Sequence, residues 1–307
     1  MDPRRLGVAC LRITAAALVV GLVASAAATW ILIHRRTPRA PEPLPAEDAA
    51  RFAEVRLTTR DGEDLGAWYA AAPEAPAAVV VLHGNGGSRS TELGAIRFFA
   101  DQGLAVLAPT LRAHGDSTGD LNDFGYGARE DVIAAVAFLE ERAPGVPILV
   151  SGRSLGAAAA LFSAPELGTR VAEYVLEAPY RDLETATRHR LDARLPGPLA
   201  ELAYLGLRAC APVLVRPRVD EVRPIDRVAA IPPDVGLVFL TGTADELAPS
   251  AEVREMLERR PRNASLVEFP GGHHLEIAGA NLGRVRQAYL DAIAAAARHC
   301  NRRPGRG

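Results

Sequence analysis

Three residue types that together activate a hydroxyl stand in this chain just after apolar runs. Ser154 lies in Gly152-Arg153-Ser154-Leu155-Gly156, and Asp245 lies in Thr241-Gly242-Thr243-Ala244-Asp245-Glu246-Leu247-Ala248-Pro249. Two histidines close the segment Pro270-Gly271-Gly272-His273-His274. A free serine hydroxyl is a poor nucleophile near neutral pH. It needs a base to take its proton, and the base needs an acid to hold its tautomer. Serine, then aspartate, then histidine is the chain order used where the serine sits on a glycine-flanked elbow. Such a set attacks a carbonyl carbon.

The flanking segments supply the elements that must position these groups. Residues 146–151 form an apolar run leading into Ser154, and the alanine-rich residues 157–162 lead out, which predicts strand, tight turn and helix. Glycines flank the turn because side chains would clash where the backbone reverses. Residues 235–240 and 265–269 read as buried strands, so Asp245 and the histidines each follow a strand end. A further buried strand, 78–82, runs into His83-Gly84-Asn85-Gly86-Gly87. Glycines there let backbone N–H groups face a reaction centre. The expected oxyanion donors are the amides of Leu155 and Asn85.

With Leu111-Arg112-Ala113-His114-Gly115-Asp116-Ser117-Thr118-Gly119 added, the motifs between about residues 79 and 275 resemble one group. The chain is similar to α/β-hydrolases of the serine aminopeptidase S33-like and BEM46-like group. That resemblance implies Ser154, Asp245 and His273 as catalytic residues, with Asn85 and Leu155 as oxyanion donors. Two adjacent histidines compete for the base. Family members usually carry Gly-His followed by a polar residue, which places the base at His273 and makes His274 the follower.

Other readings of the same residues compete. Ser154 on a turn is compatible with a purely structural role. Asp245 is also placed to cap the helix expected over 250–260, although Ser250 stands closer to that start. Asp182, just after the strand 174–177, is the rival acid. His83 is expected to hold its own loop, and His114 with Asp116 to pack against the site.

Composition narrows the function class. The chain has 307 residues, 49% of them apolar, enough for one large domain with a substantial core. A net charge of −2 gives no reason to expect nucleic-acid binding, and all 35 basic residues are arginine. The three cysteines, Cys10, Cys210 and Cys300, have no metal-ligand spacing, so neither a metal site nor a disulfide framework is expected. No cofactor fingerprint occurs.

Residues 13–33 are uncharged and mostly apolar, long enough to cross a bilayer as a helix. A cleaved signal peptide competes, since Arg4 and Arg5 make a basic start and Ala24-Ser25-Ala26 resembles a cleavage site. The run continuing through Trp30 to Ile33 favours the anchor. Basic residues flank both ends, so the positive-inside rule hardly discriminates. The short basic start favours a cytoplasmic N-terminus and an extracytoplasmic catalytic domain, secreted if the segment is cleaved.

The expected organisation is an anchor over 1–36, a stiff proline linker over 37–50, a domain over 51–300 and a basic tail over 301–307. Linker residues 37–45 are expected to space the domain from the bilayer without packing on it. The domain alternates strands and helices, which predicts an α/β fold, a mostly parallel sheet with helices on both faces. An antiparallel hairpin opens it over 53–71. Residues 183–222 break the alternation and read as a small helical cap. Its Leu, Tyr and Val side chains either line an acyl pocket or pack the cap down. The function expected is a serine hydrolase that opens an ester, thioester or amide in a small-molecule or lipid-like acyl substrate. A non-catalytic binding module and an acyltransferase are the alternatives; oligomeric state is not readable.

Overall fold

Five of the parallel-paired strands of this chain bury every residue or all but one, as strands covered on both faces must. They are β3 (Ala78–Leu82), β4 (Ala105–Pro109), β5 (Ile148–Arg153), β6 (Glu173–Glu177) and β7 (Gly236–Gly242). The computed structural model describes residues 3–34, 39–260, 262–272, 274 and 278–300. With β1 (Ala53–Thr58), β2 (Asp64–Ala70) and β8 (Ala264–Phe269) they form an eight-stranded sheet in the order β1-β2-β4-β3-β5-β6-β7-β8. The hairpin β1–β2 and the pair β2–β4 are antiparallel, and all later pairs are parallel.

Two cores flank the sheet. On one face α3 (Arg129–Arg142), α4 (Leu155–Leu167) and α8 (Ser250–Glu258) bury Val132, Leu161, Val253 and Met256 against β3, β5 and β7. On the other, α2 (Leu93–Asp101) and α9 (Ala278–Cys300) bury Ile96, Phe99 and Tyr289. Helix α4 is buried on all sides from Leu155 to Ala164, and Ala157 to Ala160 let it pack closely against β5 and its neighbour α3.

Segment 183–222 folds as α5 (Leu183–Asp192), α6 (Gly197–Leu214) and a 3-10 turn, Val219–Glu221, before the short α7 (Ile225–Val228). The N-terminal helix α1 (Pro3–Ile33) packs along α6. Ser25 Oγ fits against Gly206, where a β-carbon would stand 2.0 Å from it. Trp30 stacks on His34 at 3.6 Å, His34 bridges to Leu121, and the Ile33 carbonyl accepts the Asn122 N–H at 2.7 Å.

The linker departs from expectation: its described part, from residue 39, is bound to the domain. Arg89 is 2% exposed, and its guanidinium lies 2.7 Å from Asp116 and 3.0 Å from Glu42. A buried cation needs its charge compensated, and Glu42 of the linker is one of its two carboxylate partners. The Leu44 N–H donates to Glu54 at 2.8 Å as well. Residues 35–38 and 301–307 lie outside the described residues.

Candidate active site

Ser154 stands between β5 and α4 with φ 46° and ψ −103°, a backbone conformation that costs energy and is kept only where the surroundings enforce it. Here they do. A β-carbon on Gly152 would lie 2.7 Å from the Gly156 carbonyl carbon, and one on Gly156 would lie 2.7 Å from both Leu82 Cβ and its carbonyl oxygen. The Ser154 N–H donates to the Glu177 carbonyl at 2.8 Å, which ties the elbow to the neighbouring strand.

Asp245 follows β7, and its side chain is wholly buried. Its Oδ1 accepts the N–H groups of Leu247 and Ala248, both at 2.8 Å. Those bonds aim Oδ2 at the ring of His274, 2.8 Å from Nδ1. A carboxylate only accepts, so Nδ1 carries the ring proton and Nε2 is free to accept. Nε2 faces Ser154 Oγ at 3.1 Å. Hydroxyl, imidazole and carboxylate thus form one hydrogen-bonded line, the arrangement that moves a proton off a serine as it attacks.

The ring in this line belongs to His274, one residue beyond the expected base. His273 lies outside the described residues. The loop itself supplies the reason for the shift. Gly272 is pinned against β7: its carbonyl accepts the Ala244 N–H at 3.0 Å, and a β-carbon on Gly242 would stand 2.0 Å from that oxygen. From that anchor the chain delivers the second following residue to Asp245.

Other polar residues singled out in the sequence have different partners. Asp182 caps α5, accepting the Thr185 N–H at 2.8 Å, and pairs with Arg181 at 2.6 Å. Asp245 is no helix cap, since α8 starts after Pro249. His83 is fully buried; its Nε2 accepts the Leu111 N–H at 2.9 Å and its Nδ1 donates to the Gly84 carbonyl at 2.8 Å. Burial, with a smaller contribution from His114, pushes His83 down to about 3, so it stays neutral. Asp116 is spent on Arg89.

Leu155 opens α4, so its N–H is one of the first-turn amides with no acceptor inside the helix. Neither this amide nor that of Asn85 has an acceptor among the described residues. Beside Asn85 the next two amides are engaged: Gly86 N–H to His114 Nε2 at 3.2 Å and Gly87 N–H to the Gly84 carbonyl at 3.1 Å.

Two features escaped the sequence reading. Arg153, inside the elbow pentapeptide, lies 3.1 Å from Glu92 and 3.3 Å from Glu177, joining the strand beside the elbow to the segment after the Asn85 loop. Burial raises both carboxyls. Asn122 is the second: its Nδ2 donates to Asn85 Oδ1 at 2.7 Å. Nothing in its sequence neighbourhood signals that contact.

A cavity of about 860 Å³ lies between the end of α1 and the cap, lined by Leu32 and Ile33 of α1, Phe124, Leu183, Tyr204 and Leu207 among others. Ser154, Asp245 and His274 are not in its lining. Leu199, Leu202, Leu205 and Val213 of α6 neither line it nor pack the cap down; all are more than half exposed.

A model of the alpha/beta hydrolase family matches residues 79–282. Monoglyceride lipase of Homo sapiens is 26% identical over 77% of this chain and 86% of its own length. Protein bem46 of Schizosaccharomyces pombe is 23% identical over 69% of this chain and 66% of its own. Among solved structures, the Pyrococcus furiosus esterase PF2001 aligns with a TM-score of 0.69 at 24% identity, over 84% of this chain and 96% of that one. A match across most of the domain, on a mostly parallel eight-stranded sheet with its serine at the β5–α4 elbow, identifies the chain as a member of the α/β-hydrolase family.

Proposed function

We propose that this protein is a serine hydrolase that opens carboxylic esters through an acyl-enzyme. The observation that carries the reading is the single ring of His274, bonded at once to Asp245 and to the Ser154 hydroxyl. Ser154 Oγ attacks the ester carbonyl while His274 Nε2 takes its proton. Asp245 holds the imidazole by Nδ1 and stabilises the imidazolium as it forms. The tetrahedral oxyanion is received by the unengaged amides of Leu155 and Asn85. His274 then returns the proton to the departing alcohol, and the same base activates the water that releases the acid. Esters suit this site better than amides because an alkoxide leaves with less help than an amine. Relatives named as a lipase and an esterase support the same substrate class.

Helix α1 tethers the enzyme to a membrane in this reading. Residues Arg12–Ile33 are long and apolar enough to cross a bilayer, and little of their most apolar stretch is buried in the protein. The catalytic domain stands on the extracytoplasmic side, and the substrate is a small or lipid-like acyl ester.

A fluorophosphonate probe tests the nucleophile. Wild type is expected to be labelled at Ser154 and Ser154→Ala to be blank. Absence of labelling in wild type, or equal labelling of both, would sink the proposal.

A further inference from the structure

The unengaged amide of Asn85 sits on an exposed loop residue, and an oxyanion donor is useful only if it is held still. The side chain of that residue is what the structure holds. Asn85 Oδ1 accepts from Asn122 Nδ2 at 2.7 Å, while the amide of the next residue, Gly86, is bound to His114 Nε2. Asn122 is itself fixed at its other polar groups and is 7% exposed. Its Oδ1 accepts the Phe124 N–H at 3.2 Å, which sets the side-chain amide so that Nδ2 points at Asn85. Its own N–H donates to the Ile33 carbonyl in the last turn of α1. The neighbouring Leu121 bridges to His34.

We infer that Asn122 is a positioning residue for the oxyanion hole: it holds the Asn85 main chain in place through the Asn85 side chain and takes its own position from the end of α1. The inference rests on the serine-hydrolase reading. Among the described residues Asn122 has no hydrogen bond to Ser154 or His274, so it acts through Asn85. Losing it leaves the donor present but unheld. A misplaced donor weakens binding of the transition state more than binding of the substrate.

The test is a double-mutant cycle on the full chain in detergent micelles, with p-nitrophenyl esters as substrate and thermal unfolding measured alongside. Asn85→Ala keeps the backbone amide and removes the side-chain oxygen that accepts from Asn122 and lies 3.4 Å from His114 Nε2. Asn122→Ala removes the tether from the other side. Each is expected to lower kcat by roughly 10- to 100-fold with KM unchanged. The double variant is expected to be no slower than the slower single, because both remove one interaction. Asn85→Ala should unfold at the wild-type temperature, and it decides the matter alone if Asn122→Ala does not fold. Unchanged kcat in Asn85→Ala, a rise in KM alone, or losses that multiply in the double variant overturns the inference while the hydrolase reading stands. A wild-type protein that turns over no ester overturns both.

Discussion

Gly156 lies flush against Leu82: any β-carbon at position 156 would stand 2.7 Å from the Leu82 side chain and from its carbonyl oxygen. The contact joins the first turn of α4 to the end of β3, so the elbow and the start of the Asn85 loop are set by one close approach. The backbone partner has no rotamer with which to yield. Gly156→Ala is therefore expected to destabilise the fold by about 1–3 kcal/mol, the range for overpacking a dense interior. Chemical denaturation of the two proteins measures this; a variant equal in stability to wild type would show that the approach is looser than the structure has it.

The adjacent histidines should separate cleanly. His274→Ala is expected to lower kcat/KM by roughly 10⁴- to 10⁶-fold, as removal of a base from a serine–histidine pair does, whereas His273→Ala should stay within about tenfold of wild type. Steady-state kinetics on a short ester gives both values. The reverse pattern would return the base to His273.

Asp245→Asn offers a test of orientation without loss of fold. The amide oxygen still accepts from Leu247 and Ala248, so the loop should survive. What is lost is the acceptor for His274 Nδ1–H, and with it the tautomer that leaves Nε2 free for Ser154. A drop in kcat of about 10⁴ with an unchanged unfolding temperature is expected. Retention of more than a tenth of the activity would mean that the ring is oriented by something else.

Stability should carry a pH signature from Glu173. Burial pushes its carboxyl from 4.5 up to about 7, only partly offset by Arg260 and Arg298. A group raised in the folded state contributes its full stability below its unfolded pKa and loses it as pH climbs through the folded one. Wild type should thus lose about 3 kcal/mol from this group between pH 4.5 and 7.5. Glu173→Gln removes the titration, so its stability relative to wild type should rise across that window and level off above it. Denaturation curves at pH 4.5, 6 and 8 read the trend; a constant difference across the three refutes it.

The order of elements and the places of Ser154 and Asp245 were legible because each rests on local pattern. Continuous apolar runs mark strands buried on both faces, and glycines mark where the chain must turn tightly. The places of Leu155 and Asn85, on the turns that follow β5 and β3, were legible for the same reason. Local pattern has nothing to say about neighbours distant in the chain. Of two consecutive histidines, the sequence favoured the first, and the pinning of Gly272 against Gly242 and Ala244 delivers the second to Asp245. Asp182 and Asp245 both follow strands; only packing shows that one caps α5 while the other faces an imidazole. The proline linker read as a free spacer because the pairing of Glu42 with a buried Arg89 is invisible without the fold around it. What this chain's sequence determined by itself is where its turns and its chemically able side chains lie. Which of those side chains meet was decided by tertiary structure alone, because hydrogen bonds between residues scores of positions apart depend on how the helices and loops are seated against the sheet.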